Sequence, residues 1–281
     1  MQIDSHVYCL PPRLRKSMEL PGSEQKVRLA IHDHPEGAKA LSLSSPEAIL
    51  SSMDRCEFDS VLLVAFPWND PKLCTETNDF LLNLVAQEKR FHCLCAVQPA
   101  SKNFTDEADR CLRAGALGLK INPIWQGVEL DGPEVDELAV FAGEAGVPVM
   151  THVDQSYKKS IASAAALLEI AKRHPETKFL AAHLGGLLGL YAQHPPIRNA
   201  ISNIWFDTAV SSTMQMVGFY VQSGLEDKIL FGTDFPFNHC HDQNEPLAAF
   251  NKIGLSKEIA DKILYRNYED LFNLPTKLCV K

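Results

Sequence analysis

The stretch KFLAAHLGG, residues Lys178–Gly186, sets the reading of this chain. Lys178–His183 is an apolar run of strand length that ends on a histidine, and two glycines follow where the backbone must turn sharply. Runs of the same kind recur on both sides: Gln2–His6, Ser60–Phe66, Phe91–Val97, Ala116–Ile121, Val147–His152, Asn203–Thr208 and Lys228–Asp234. Several are apolar almost throughout, which suits strands covered on both faces, as in parallel sheets. Helix-like stretches lie between them. Pro71–Lys89 opens with Asp70 as N-cap and Pro71 at the first helical position, and Pro133–Ala145 ends before Gly146 at the C′ position. Lys158–His174 stops before Pro175, and Ser211–Ser223 and Glu245–Ile253 follow the later strands.

From one run start to the next the steps are 58, 31, 25, 31, 31, 25 and 25 residues. Six of the seven fit strand–helix units of about 30 residues. Eight strands alternating with helices predict an α/β fold, a (β/α)8 TIM barrel occupying residues 1–281 as one domain. The long first step places an insertion, Pro11–Ser45, after strand 1 at the C-terminal mouth, where it would act as a lid. A doubly wound open sheet is the alternative, but neither GxGxxG nor GxxxxGK[ST] follows strand 1.

Composition narrows the function classes. The chain has 281 residues and a net charge of −8, which argues against a nucleic-acid partner because a polyanion is repelled. It leaves room for a small anionic substrate held by one local lysine. No window of 18 consecutive apolar residues occurs, so no membrane-spanning helix is expected. The opening MQIDSHVYCL lacks a basic segment followed by an apolar one, so no signal peptide is expected and the protein is read as cytoplasmic. The 8 cysteines show no CxxC pair, which excludes a zinc finger and points to buried, reduced thiols. The partner is read as a small molecule; self-association into a homo-oligomer is left open.

Barrel enzymes carry their chemistry at the C-terminal ends of strands. Four runs end in ligand-type residues, His6, His152, His183 and Asp234, and strand 4 adds Lys120. Strand alternation puts Asp4, His6 and Tyr8 on one face, and places small residues, Gly118 under Lys120 and Gly232 under Asp234, where a tight barrel needs space. Histidines, a carboxylate and an open position describe a catalytic divalent-metal site, with a metal-bound water whose pKa falls to about 7. A histidine beside the metal would move protons, and Lys120 would hold a substrate carboxylate. Trp68 after strand 2 and Trp125 after strand 4 would stack on a substrate ring at the mouth or pack against neighbouring loops. Asp207, ending strand 7, would orient a ligand histidine or cap the chain. Asn238–His241 would line the pocket or form a solvated loop.

These residues resemble the amidohydrolase superfamily, in its amidohydrolase-related branch of decarboxylases and lactone hydrolases. The resemblance rests on IDSH (Ile3–His6), GALGLKINP (Gly115–Pro123), PVMTH (Pro148–His152), FLAAHLGG (Phe179–Gly186), ILFGTDFPF (Ile229–Phe237) and ILYRNYEDLFNL (Ile263–Leu274), in that order. It implies metal ligation by His6, His152 and Asp234, with His183 as a further ligand or as a catalytic acid/base. Asp234 would also accept a proton from the metal-bound water. The family's opening motif is HxH, and here Tyr8 takes the second place. A phenol ligates only as phenolate, so Tyr8 is a weak ligand, a hydrogen-bond donor to substrate, or a replacement that weakens the metal site. One divalent ion is expected, zinc first and manganese as the alternative.

Three functions follow. The leading one is a metal-dependent hydrolase of a small carboxylate-bearing molecule, acting through activated water. The alternative is a metal-dependent, non-oxidative decarboxylase of an aromatic or unsaturated acid, with His183 delivering the proton to carbon. The third is a non-catalytic barrel that has lost its metal.

Overall fold

A computed structural model describes residues 1–16, 20–154, 160–209, 214–237 and 240–274. Eight strands appear where the apolar runs place them: β1 (Ile3–Tyr8), β2 (Ser60–Val64), β3 (Phe91–Ala96), β4 (Leu119–Ile121), β5 (Val149–Thr151), β6 (Phe179–Ala181), β7 (Ile204–Asp207) and β8 (Ile229–Leu230). They stand in chain order, each parallel to the next. Between β1 and the segment after β8 the backbone closes the circle. The Ser5 N–H donates to Phe231 O at 2.8 Å, Tyr8 N–H to Phe235 O at 2.7 Å, and Asp234 N–H to His6 O at 2.9 Å. The fold is a TIM barrel. Strands β5, β6 and β8 are shorter than their apolar runs, so His152, His183 and Asp234 lie just beyond them.

The helices start and stop for local reasons. Helix Pro71–Gln87 is capped by Asp70, whose carboxylate accepts from the Lys72 N–H at 2.8 Å. Helix Pro133–Ala145 ends where Gly146 turns left-handed at φ 69°. The helix expected from Lys158 starts later, at Ala164, with the Ser163 hydroxyl accepting from Ala166 N–H; residues 158 and 159 lie outside the described residues. The helix expected from Ser211 is Met216–Gln222, and positions 211–213 are likewise outside. Among the described residues no helix is long and apolar enough to cross a membrane. The seven described cysteines are all buried and unbridged.

One sequence expectation needs correction. The register of β1 on β2 slips between Asp4 and Val7, where three steps along β1 match two along β2. This bulge interrupts the strict alternation of faces. Asp4 accordingly does not join His6 and Tyr8 over the site. Its carboxylate accepts from Thr233 N–H (3.0 Å) and Oγ1 (2.5 Å) and from Gln243 Nε2 (2.6 Å), tying β1 to the chain after β8.

The insertion after β1 is built from helices Pro12–Lys16 and Gly37–Leu43 with short helical turns between them. It is stitched across the barrel mouth. Glu24 accepts from Asn69 N–H (3.2 Å) and Asp70 N–H (2.6 Å), Lys26 Nζ donates to Ile124 O (2.8 Å), and Glu36 Oε2 meets His241 Nε2 at 2.5 Å. The insertion therefore spans loops after β2, β4 and β8, the place expected of a lid.

Candidate active site

His6 is carried by β1 itself and is fully buried. Its Nδ1 lies 2.9 Å from Asp207 Oδ2, at the end of β7. Burial opposes ionisation of Asp207, but His6 and the His183 N–H outweigh it and hold the carboxyl below its usual range. An ionised carboxylate only accepts, so His6 Nδ1 carries the proton. Burial, first among the causes, lowers the His6 pKa to about 4, so the ring is neutral near pH 7. Its Nε2 is left with a lone pair, has no hydrogen-bond partner, and faces Asp234 Oδ1 at 3.3 Å. A Cβ added to Gly232 would stand 3.1 Å from His6 Cβ, so glycine leaves room for the root of the His6 side chain.

His183 sits at a sharp left-handed turn. Three consecutive residues, His183, Leu184 and Gly185, have φ of 59°, 53° and 57°. For residues with a Cβ this conformation costs about 1–3 kcal/mol each, and surrounding contacts must hold it. The His183 N–H donates to Asp207 Oδ1 at 2.8 Å, and at Gly185 an added Cβ would come within 2.9 Å of the Phe206 ring. Asp234 is also left-handed, at φ 66°. His183 Nδ1 lies 3.0 Å from the Ala209 carbonyl, which can only accept, so that nitrogen is protonated. Its Nε2 then accepts from His152 Nδ1 at 3.0 Å, leaving the lone pair of His152 on Nε2. Burial is the main force lowering the pKa of both rings.

The donors thus stand as two pairs, His6 with Asp234 and His152 with His183. Among the described residues no three His, Cys, Asp or Glu side chains already enclose a metal centre. The donor chemistry nevertheless fits a divalent ion. A buried imidazole lone pair 3.3 Å from a carboxylate oxygen is a pair of ligand atoms suited to a divalent cation.

Lys120, on β4, lies beneath the cavity, is 1% exposed, and has no hydrogen-bond partner for its Nζ. Burial lowers its pKa to about 8, against the pull of Asp207 and Asp234. Burial, then Asp234 and Asp207, push the Tyr8 phenol well above its usual value, so it presents a hydroxyl.

Above this floor opens a cavity of about 500 Å³. Tyr8, Trp125 and Phe237 line it with aromatic faces, and His152, His183 and Asp234 stand at its base. The insertion contributes Ile31, His34 and Glu36 to the wall. Trp68 and Trp125 separate here. Trp125 lines the cavity and stacks on Phe66 at 4.7 Å between ring centroids and 15° between planes. Trp68 lies behind Phe66, fully buried, with its Nε1–H donating to Thr77 Oγ1 at 2.9 Å. It packs rather than touching the cavity, because its indole N–H finds its partner on the following helix. Of the Asn238–His241 stretch, His241 reaches the cavity wall, Cys240 is buried, and residues 238 and 239 lie outside the described residues.

The amidohydrolase family model matches residues 4–274. The chain belongs to the amidohydrolase family. No curated protein matches it. Solved structures resemble it over nearly their whole length. A 5-carboxyvanillate decarboxylase from Sphingomonas paucimobilis is 14% identical, with a TM-score of 0.78 over 98% of this chain and 99% of that one. A 2,6-dihydroxybenzoate decarboxylase from Rhizobium is 18% identical, with a TM-score of 0.73 over 97% and 98%. A 5-carboxyvanillate decarboxylase from Novosphingobium aromaticivorans, complexed with manganese and 4-hydroxy-3-methoxy-5-nitrobenzoic acid, is 18% identical, with a TM-score of 0.76 over 98% and 96%. At these identities the likeness speaks for the fold of this amidohydrolase-family chain.

Proposed function

We propose that this chain is a divalent-metal-dependent, non-oxidative decarboxylase of an aromatic carboxylic acid. The observation that carries the reading is the buried lone pair of His6 Nε2 facing Asp234 Oδ1 at 3.3 Å, at the base of a cavity walled by aromatic rings. With the His6 Nδ1 proton directed to Asp207, the Nε2 lone pair is left for a cation, which supports the metal-bound reading. The similar structures favour decarboxylation over the hydrolysis that heads the sequence reading, and the manganese in one of them makes manganese the preferred ion over zinc.

His6, His152 and Asp234 would hold the ion. When bound, it supplies positive charge that binds and polarises the oxygens of the substrate acid. Trp125, Phe237 and Tyr8 flank the substrate ring and exclude water, and the Tyr8 hydroxyl donates to a substrate oxygen. His183 Nε2, an acceptor here, is the atom that takes up a proton from solvent and delivers it to the ring carbon bearing the carboxylate. The carbon–carbon bond then breaks, its electrons restore the ring, and carbon dioxide leaves. Lys120 is too deeply buried to anchor a substrate carboxylate. It serves as the internal counter-charge of Asp207 and Asp234.

The test combines elemental analysis with turnover of a panel of hydroxybenzoates by metal-free and manganese-loaded protein. Stoichiometric metal and carbon dioxide release without solvent ¹⁸O in the product are expected. Solvent ¹⁸O in the product would return the reading to hydrolysis, and absence of both metal and metal-restored turnover would overturn it.

A further inference from the structure

The Asp207 carboxylate reaches both halves of the proposed site, His6 through Oδ2 and His183 through Oδ1. It is fully buried at the end of β7 and takes three N–H groups from three parts of the chain. Oδ2 faces His6 Nδ1 at 2.9 Å, while Oδ1 accepts from His183 N–H at 2.8 Å and Ala209 N–H at 3.1 Å. His6 sits on β1, and His183 on the left-handed turn after β6.

We propose that Asp207 is a positioning residue: one oxygen holds His6 in the Nδ1–H tautomer, aiming its Nε2 lone pair at Asp234, and the other holds the left-handed turn that presents His183. The tautomer follows from the contacts of Asp207: two backbone N–H groups on Oδ1 favour the ionised carboxylate, whose Oδ2 can then only accept from His6 Nδ1. Its consequence for metal binding rests on the proposed function. A hydrogen bond to the far nitrogen of a ligand histidine sets ring orientation and basicity, and its loss typically lowers metal affinity about 10–100-fold.

Asparagine separates charge and acceptor capacity from size. In Asp207→Asn only one of the two outer atoms still accepts. Two backbone N–H groups converge on the Oδ1 side, so the amide oxygen settles there and the NH2 group turns to His6 Nδ1. A donor then meets a donor, and His6 relieves the clash by moving its proton to Nε2. That replaces the lone pair facing Asp234 with an N–H.

The experiment reads ring nitrogen-15 shifts in metal-free protein, with the His6 signals assigned by their loss in His6→Gln, alongside Mn²⁺ binding by titration. The native protein should show His6 protonated on Nδ1. Asp207→Asn should show it protonated on Nε2 and bind Mn²⁺ about 10–100-fold more weakly, while Asp207→Glu, which only accepts, keeps the native tautomer. Native His6 protonated on Nε2, or an Asp207→Asn protein with the native tautomer or native Mn²⁺ affinity, would overturn the inference. The native spectrum decides it even if Asp207→Asn does not fold. If native protein takes up no Mn²⁺, the proposed function fails while the tautomer readings still judge this inference.

Discussion

His6, His183 and Asp234 on the cavity floor are at most 7% exposed, and backbone or carboxylate contacts hold each of them. On the wall supplied by the insertion, Glu36 leaves 48% of its side chain in solvent and meets His241 across the mouth. The floor is held by the closed sheet, with little freedom to move without opening the barrel. The wall is held by a few polar stitches on the surface, where such contacts contribute about 0–1 kcal/mol. On the proposed function, the floor would carry the chemistry and the wall would select what enters.

The sharpest way to break this division is at Asp234. Asp234→Asn should abolish stoichiometric metal and lower turnover about 10²–10⁴-fold, with a native circular dichroism spectrum. If it keeps its metal, the floor is not the metal site. A second test sets the two tryptophans against each other. Trp68→Ala should lower stability by about 3–5 kcal/mol in denaturant unfolding, because it empties a fully buried site behind Phe66. Trp125→Ala should chiefly raise KM, because its ring faces the cavity.

Protonation offers a third test. The His6 pKa is lowered from 6.5 to about 4, so below pH 6.5 the unfolded chain binds a proton that the folded one refuses. Its stabilising contribution is complete above pH 6.5 and is lost as pH falls through about 4. Metal-free protein should therefore lose stability on acidification across that window, and His6→Gln should show a shallower slope. The smallest effect belongs to the wall. Glu36→Gln should change KM no more than about fivefold and leave kcat unchanged, since it weakens one half-exposed contact. A large drop in kcat would move Glu36 into the chemistry.

Much of the barrel is legible in the chain because its strands are buried on both faces and stand out as apolar runs. His6, His152, His183 and Asp234 are legible as polar residues ending such runs, a position with little purpose in a core. What stays hidden depends on backbone detail. The bulge that turns Asp4 toward Thr233 has no signature in an alternating pattern, since alternation presumes a regular strand. The left-handed turn at His183 is announced only by the glycines after it. Trp68 and Trp125 look alike as residues following strands, and only the hydrogen bond to Thr77 tells which is packed away. Asp207 is visible as a strand-end carboxylate, but its link to His6 spans 201 positions of sequence and exists only once the barrel closes.

The buried cysteines equip the barrel with its own set of opening reporters. Burial pushes the thiols of Cys9, Cys74 and Cys240 up, so in the closed molecule they resist thiol reagents. Labelling must wait until the surrounding structure parts, and its rate counts how often that happens. Cys9 follows β1, Cys93 and Cys95 lie in β3, and Cys240 follows the Asp234 turn. The order in which they react with a small alkylating reagent would trace which stave of the barrel loosens first, without adding a probe to the chain.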